Sequence, residues 1–153
     1  MRNHFFEGLA FAGLVVSFVP NSAQAQEAVA ATSAPVTVEG YYRIKWGSEG
    51  EFVELYEKNH RPILEEAKAR GIITDLRIDV PFTHMAGEER WDLRVTMTYR
   101  SASAALVTDP EMVAVFDEVV AKLKAANPDF DKEEANRFSL LDEHWDVIVL
   151  RTN

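Results

Sequence analysis

The sequence has no cysteine, only 7 glycines and 6 prolines, and 4 histidines in 153 residues. Without cysteine there is no disulfide, no thiolate zinc site and no lipidated N-terminal cysteine. A run able to cross a bilayer, about 20 apolar residues, is also missing; the longest near-continuous stretch, residues 9 to 19, is much shorter. Positive charge is scarce as well, with 16 Lys and Arg against 25 Asp and Glu and a formal net charge of −9. Nucleic-acid binding needs cationic side chains to replace phosphate counterions, so that class of partner is disfavoured. An anionic membrane surface would repel the chain for the same reason. No Gly-rich phosphate loop, nucleophile elbow or paired-carboxylate motif is present. A small molecule or another protein is the expected partner.

The first 25 residues read as an export signal. Arg2 and His4 make a short polar start, Leu9 to Val19 is apolar, and Pro20-Asn21-Ser22 breaks the run. Ala23-Gln24-Ala25 then has the small-x-small form that a signal peptidase cuts after, so cleavage is expected between Ala25 and Gln26. Arg2 and Glu7 would leave together, so the net charge stays at −9. Export of a small domain without disulfides fits a Gram-negative periplasm better than a eukaryotic extracellular space. Residues 26 to 35, rich in alanine, read as a flexible mature N-terminus. Residues 36 to 153 read as one domain with a single core and no membrane span.

Within that domain the pattern alternates between periods. Val36, Val38, Tyr42, Ile44 and Trp46 alternate with Thr37, Glu39, Tyr41, Arg43 and Lys45, as in a half-buried strand, and Gly40 interrupts the apolar side. Ser48 with Glu51 predicts a capping box that opens a helix, and Phe52, Leu55, Tyr56, Asn59, Ile63 and Ala67 fall near one face of it. Pro62 removes an amide donor and predicts a kink or restart near His60, and Gly71 predicts the end. Thr74, Leu76, Ile78 and Val80, then Trp91, Leu93, Val95, Met97 and Tyr99, predict two more strands. A helical start at Ser101 to Val107 gives way to a second helix announced by Asp109-Pro110-Glu111. Asp131 to Leu141 predicts a short extra helix, and Trp145, Val147 and Val149 a last strand. This βαββαβ order is a ferredoxin-like α+β fold, a four-stranded antiparallel sheet with helices on one face.

Apolar strand positions belong under the helices, which makes Trp46, Trp91 and Trp145 core residues on this reading. The open face then carries Tyr41, Arg43, Arg77 and Arg94 with their acidic neighbours, and Asp146, Ile148 and Leu150 are expected to share it. Such a face is solvated, or binds RNA, or packs against a second copy. The RNA reading needs stacking aromatics on central strands, and this assignment leaves only Tyr41. A sheet-to-sheet homodimer would enclose a cavity in which arginines meet an anionic or carbonyl-bearing ligand.

The strand order, with Tyr56, His60 and Pro62 in the first helix, resembles the dimeric α/β-barrel superfamily over residues 36 to 151. Within it the chain is similar to EthD-like and antibiotic-biosynthesis-monooxygenase-like proteins. The resemblance implies a dimer formed through the sheets and a small organic ligand held between sheet and helices. Some such proteins oxidise, cyclise or isomerise aromatic or polyketide-like compounds without a cofactor, and others bind haem. No cofactor and no metal site are predicted for this chain, and haem is left open. His60 matches a position where such proteins often place a pocket histidine; the signal peptide, the extra helix and the charged sheet face depart from their pattern.

These residues define two functions to compare. One is an exported small-molecule-binding protein, with Tyr41, Arg43, Tyr56 and Arg94 as ligand-binding candidates. The other is a cofactor-independent oxygenase, cyclase or isomerase with His60 as general base, since an imidazole titrates near neutrality and a kinked helix can aim it into a cleft. In that reading Tyr41 and Arg43 polarise the carbonyl or anion. His84 is expected on an exposed loop. His144, which lacks a second histidine at ligand spacing, is expected at a solvated strand entry.

Overall fold

A computed structural model describes residues 33–83, 85–106 and 108–149. The expected signal peptide, most of the expected N-terminal segment, His84 and Leu150 lie outside the described residues. Strand β1 (Val36–Ile44) is central and pairs antiparallel with β3 (Leu93–Tyr99) on one side and β4 (Leu141–Val149) on the other. Strand β2 (Ile73–Asp79) flanks β3, so the sheet runs β2-β3-β1-β4. Two crossovers carry the helices. The first holds α1 (Glu49–Leu55), a π-helical turn (Tyr56–His60) and α2 (Arg61–Ala69); the second holds α3 (Pro110–Ala126) and α4 (Phe130–Ser139). This is the ferredoxin-like α+β fold expected from the sequence.

Its core forms where the apolar face of β1 and β3 meets the helices. Ile44, Phe52, Tyr56, Ile72, Leu93, Val95 and Val115 are fully buried there. Local signals act largely as predicted. The Asp109 carboxylate accepts from the Glu111 and Met112 amides, and Pro110 opens α3. Gly71 takes a left-handed φ of 71°, which a side chain would oppose, and Ile72 N–H returns to the Ala67 carbonyl to close α2. The capping box does not form: Ser48 occupies the N-cap without a side-chain bond, and Glu51 accepts from Asn136 of α4 instead. Residues 101–106 form turns rather than helix.

The last strand corrects the expected faces. Register shifts between Arg43 and Ile44, which pair with Glu143 and Leu141. One extra residue on β4 inverts every later side chain. Trp145 and Val147 therefore stand on the open face beside Tyr41 and Glu39, while His144, Asp146 and Ile148 turn to the helix side beside Tyr42, Gly40 and Val38.

Beside the slip, Ile44 is held on the other edge of β1. Its N–H donates to Asp92 Oδ2 (2.8 Å) and its carbonyl accepts from Arg90 Nη2 (2.7 Å), so these side chains hold the groups that face β3, past the point where β3 pairing ends. Arg90 is buried between Asp92 and Asp142, both at 3.6 Å, and its guanidinium lies 4.1 Å from the Trp46 ring. Trp46 itself is 65% exposed, not core, because it covers this ion group rather than the apolar layer.

An Asp92→Ala variant removes the Ile44 amide's acceptor and one of the two carboxylates facing a buried cation. It is expected to lose about 3 kcal/mol in urea unfolding. Asp75→Ala on the exposed sheet surface should stay within about 0.5 kcal/mol. Equal losses in both variants would show that the Asp92 contacts with Ile44 and Arg90 carry no stability of their own.

Candidate functional site

The helix side of β1 and β4 collects most of the chemistry-bearing side chains. Pro62 has no amide hydrogen, and its ring would press on the carbonyl four residues earlier in a regular helix. The chain answers with the π turn at Tyr56–His60 before α2 resumes with Pro62 in its first turn. That turn sets the Tyr56 and His60 rings 5.0 Å apart, both toward the sheet. Tyr42 of β1 lies edge-on to Tyr56 at 5.6 Å and stacks on His144 of β4 at 4.2 Å. His144 Nδ1 is 2.9 Å from the Tyr41 carbonyl, to which it donates when protonated there. Its Nε2 is 3.8 Å from Asp146.

Gly40 opens the floor of this group. A Cβ there would meet Asp146 Oδ1 at 2.9 Å, closer than a Cβ normally comes, and touch the His144 and Tyr42 rings at an ordinary 3.7 Å. The glycine that breaks the alternation of β1 is thus the sequence signal for the sheet side of the site. Tyr42, His144, Asp146 and Arg137 were not singled out as site residues in the sequence. The first had the pattern of an ordinary core position, and the β4 pair was assigned to the other face.

Burial sets the protonation states. The Tyr56 side chain is fully buried and its hydroxyl has no hydrogen-bond partner among the described residues. Burial, with Tyr42 beside it, pushes its ionisation far above the ordinary range. Burial also raises Tyr42, to about 12. For His60, burial lowers the pKa from 6.5 to about 4, and Arg137 and His144 add to the effect against Glu134. Arg137 of α4 is itself buried, held by two bonds to Glu134 (3.0 and 2.7 Å) and lying 5.8 Å from the Phe52 and Tyr56 rings. Near neutral pH the centre of the site thus presents neutral hydroxyl and imidazole groups.

The structure divides the residues expected to act together. His60 and Tyr56 are joined on the helix side. Tyr41, Arg43 and Arg94 lie on the opposite face of the sheet, so Tyr41 and Arg43 do not meet a ligand that His60 touches. Arg43 pairs with Glu143 and donates to the Glu88 carbonyl. Arg94 donates to Asp79 (2.9 Å) and sits 5.2 Å from the Trp91 ring. Tyr41 stacks on Trp145 (5.4 Å, 8° between planes) and meets Trp91 edge-on at 6.1 Å. Trp91 and Trp145 therefore belong to the open face and not to the core. Among the described residues no group of three or more His, Asp or Glu is placed to hold a metal ion, and no helix is long and apolar enough to cross a membrane.

No protein-family model matches the chain, and no curated protein matches it. Solved structures do. A dimeric protein of unknown function and ferredoxin-like fold from Bacteroides fragilis is 14% identical, covering 75% of this chain and 94% of its own, with a TM-score of 0.43. An uncharacterized NIPSNAP domain protein from Burkholderia xenovorans is 16% identical, covering 77% and 94%, with a TM-score of 0.40. A protein provisionally described as an antibiotic biosynthesis monooxygenase, from Bacteroides thetaiotaomicron, is 9% identical, covering 78% and 91%, with a TM-score of 0.44. At such identities these likenesses concern fold alone.

The His60 environment predicts a pH effect on stability. The unfolded chain binds the imidazole proton near pH 6.5 and the folded chain only near 4, so between these values the unfolded state binds more protons. The contribution of the neutral ring is full above about 6.5 and is lost as pH falls toward 4, amounting to at most about 3 kcal/mol. A His60→Gln variant should show a shallower fall in unfolding free energy across this window than the wild type. Parallel curves would mean that His60 titrates as a solvated group.

Proposed function

We propose that the protein is an exported, small-molecule-binding protein of dimeric α/β-barrel type. Its ligand site is the helix-side group of Tyr42, Tyr56, His60 and His144. The observation that carries this reading is the fully buried Tyr56 hydroxyl, which has the Tyr42 ring beside it but no well-formed hydrogen bond among the described residues, and which stands next to a His60 that burial keeps neutral. A buried donor left unpaired costs about 1–3 kcal/mol, and an incoming oxygen acceptor relieves that cost. Export rests on the N-terminal pattern of Leu9 to Ala25.

A catalytic role, as a cofactor-independent oxygenase, cyclase or isomerase, ranks second. A general base holds the proton in the transition state, and the His60 environment opposes a charged imidazolium. The site is better built to donate and accept hydrogen bonds in neutral form than to abstract a proton.

The open face supports the dimer. Tyr41, Trp91 and Trp145 form a half-buried aromatic group there, and Val147 is 43% exposed beside them. Facing copies of this sheet would remove that apolar surface from water.

Native mass spectrometry of the exported chain is expected to show a dimer and a retained small molecule. His60→Ala and Tyr56→Phe should fold normally and bind that molecule at least about tenfold more weakly, the scale of one lost buried hydrogen bond. Unchanged affinity in both variants would sink the helix-side site. Light scattering of a Val147→Glu variant should report a monomer with wild-type circular dichroism; a wild type that is itself monomeric would overturn the sheet-to-sheet dimer.

A further inference from the structure

The open face holds a second feature, distinct from the helix-side group. At the end of the sheet where β1 finishes and β4 begins, Met85, Glu88 and Glu89 of the loop between β2 and β3 border an open, shallow pocket of about 620 Å³ beside Trp145. Its walls are the rings of Tyr41, Trp91 and Trp145, and its rim carries Glu88, Glu89 and Glu143. Arg43 shapes it by gripping the Glu88 carbonyl on the loop and the Glu143 carboxylate on β4.

The charges around this pocket do not balance. The two arginines nearby are both engaged, Arg43 with Glu143 and Arg94 with Asp79. Among the described residues, the Glu88 and Glu89 carboxylates have no ion-pair partner. Aromatic faces attract cations through the ring quadrupole, and Arg94 over Trp91 at 5.2 Å is one cation already taken up in this way. Two unpaired carboxylates at the mouth and three rings in the wall favour a charge that is spread over an apolar body. A bare metal ion is poorly matched, because it needs converging oxygen ligands. A neutral aromatic compound would gain nothing from the carboxylates.

We infer that this pocket binds an organic ammonium ion, with Trp91 and Trp145 contacting its alkyl groups and Glu88 and Glu89 facing its charge. The site is separate from the proposed helix-side ligand site, because the sheet lies between them. Its rings lie on the surface that the proposed dimer faces, so the pocket would open into the space between the two sheets, and dimer formation is read by light scattering rather than by heat.

The test is calorimetric titration of the full mature chain with choline and with 3,3-dimethylbutanol, a neutral molecule of nearly the same shape, at low ionic strength. Choline is expected to bind with a dissociation constant in the millimolar range, and the alcohol about tenfold more weakly or not at all. Trp145→Leu keeps apolar bulk and removes the ring, so it should fold and weaken choline about fivefold. The double variant Glu88→Gln, Glu89→Gln, on an exposed loop, should weaken it about as much and flatten its salt dependence. Equal affinity for choline and the alcohol would overturn the proposal, as would unchanged choline binding in the double variant. No heat with choline, in a sample that light scattering reports as a dimer, would also overturn it while leaving the sheet-to-sheet dimer intact.

Discussion

The slip of one residue in the pairing of β1 with β4 decides which side chains each face of the sheet receives. It falls at Ile44, whose amide and carbonyl are held on the β3 side by Asp92 and Arg90. Because strand side chains alternate with a period of two, a slip of one residue exchanges the faces of the whole edge strand. Trp145 and Val147 are thereby delivered to the open face, and His144 and Asp146 to the helix side. Each candidate ligand site takes one ring from that exchange, His144 on the helix side and Trp145 on the open face. A strictly paired β4 would set Trp145 opposite Gly40 on the helix side and leave Tyr41 without the ring it stacks on.

A second constraint acts on the helix side. Pro62 breaks the regular bonding of the first crossover, and the π turn absorbs the break next to Tyr56 and His60. Helical bonding that is regular everywhere would leave no reason for these rings to converge on the sheet. Glu133 then ties the turn to α4 by accepting from Lys58 (2.6 Å) and Asn59 (3.2 Å), and Lys58 holds its carboxyl below the usual range. Through the same helix, the Arg137–Glu134 pair brings a buried cation close to the aromatic group. That cation opposes protonation of His60, while the burial it shares opposes ionisation of Tyr56. Charge and burial thus act together at His60, whereas at Tyr56 and Tyr42 burial outweighs the pull of Arg137 toward ionisation.

Much of the fold was legible because its signals are local. The period-two and period-3.6 stretches, Asp109-Pro110 and Gly71 each act within a few residues of themselves, and each is found acting as read. The faces of β4 were not legible, because they are set by where β4 slips against β1, a strand at the other end of the domain's sequence. Nothing near Trp145 announces that slip. The capping box failed for a similar reason: Glu51 found Asn136, 85 positions on, a competitor that no local rule includes. Of the candidate site, Pro62 announced the break near His60, and the π turn that holds Tyr56 and His60 is that break. Tyr41, Arg43 and Arg94 were correctly placed on the open face, but joining Tyr41 and Arg43 to His60 in one catalytic reading overlooked that the sheet separates them.

That separation bears on how one small domain can hold two unlike ligands. Tyr41 and Tyr42 are neighbours in sequence and opposite in environment. Tyr42 is buried, and burial raises its hydroxyl to about 12, whereas the Tyr41 hydroxyl donates to Glu39 and is raised chiefly by that bond. On the helix side water is excluded and charge is costly, so recognition falls to neutral donors and acceptors. On the open face water screens charge and unpaired carboxylates are tolerated, so recognition falls to rings and net negative charge. The strand between them transmits no charge, but it fixes both registers at once. A change that restored regular β4 pairing would therefore carry Trp145 off the open face and His144 off the helix side in one step.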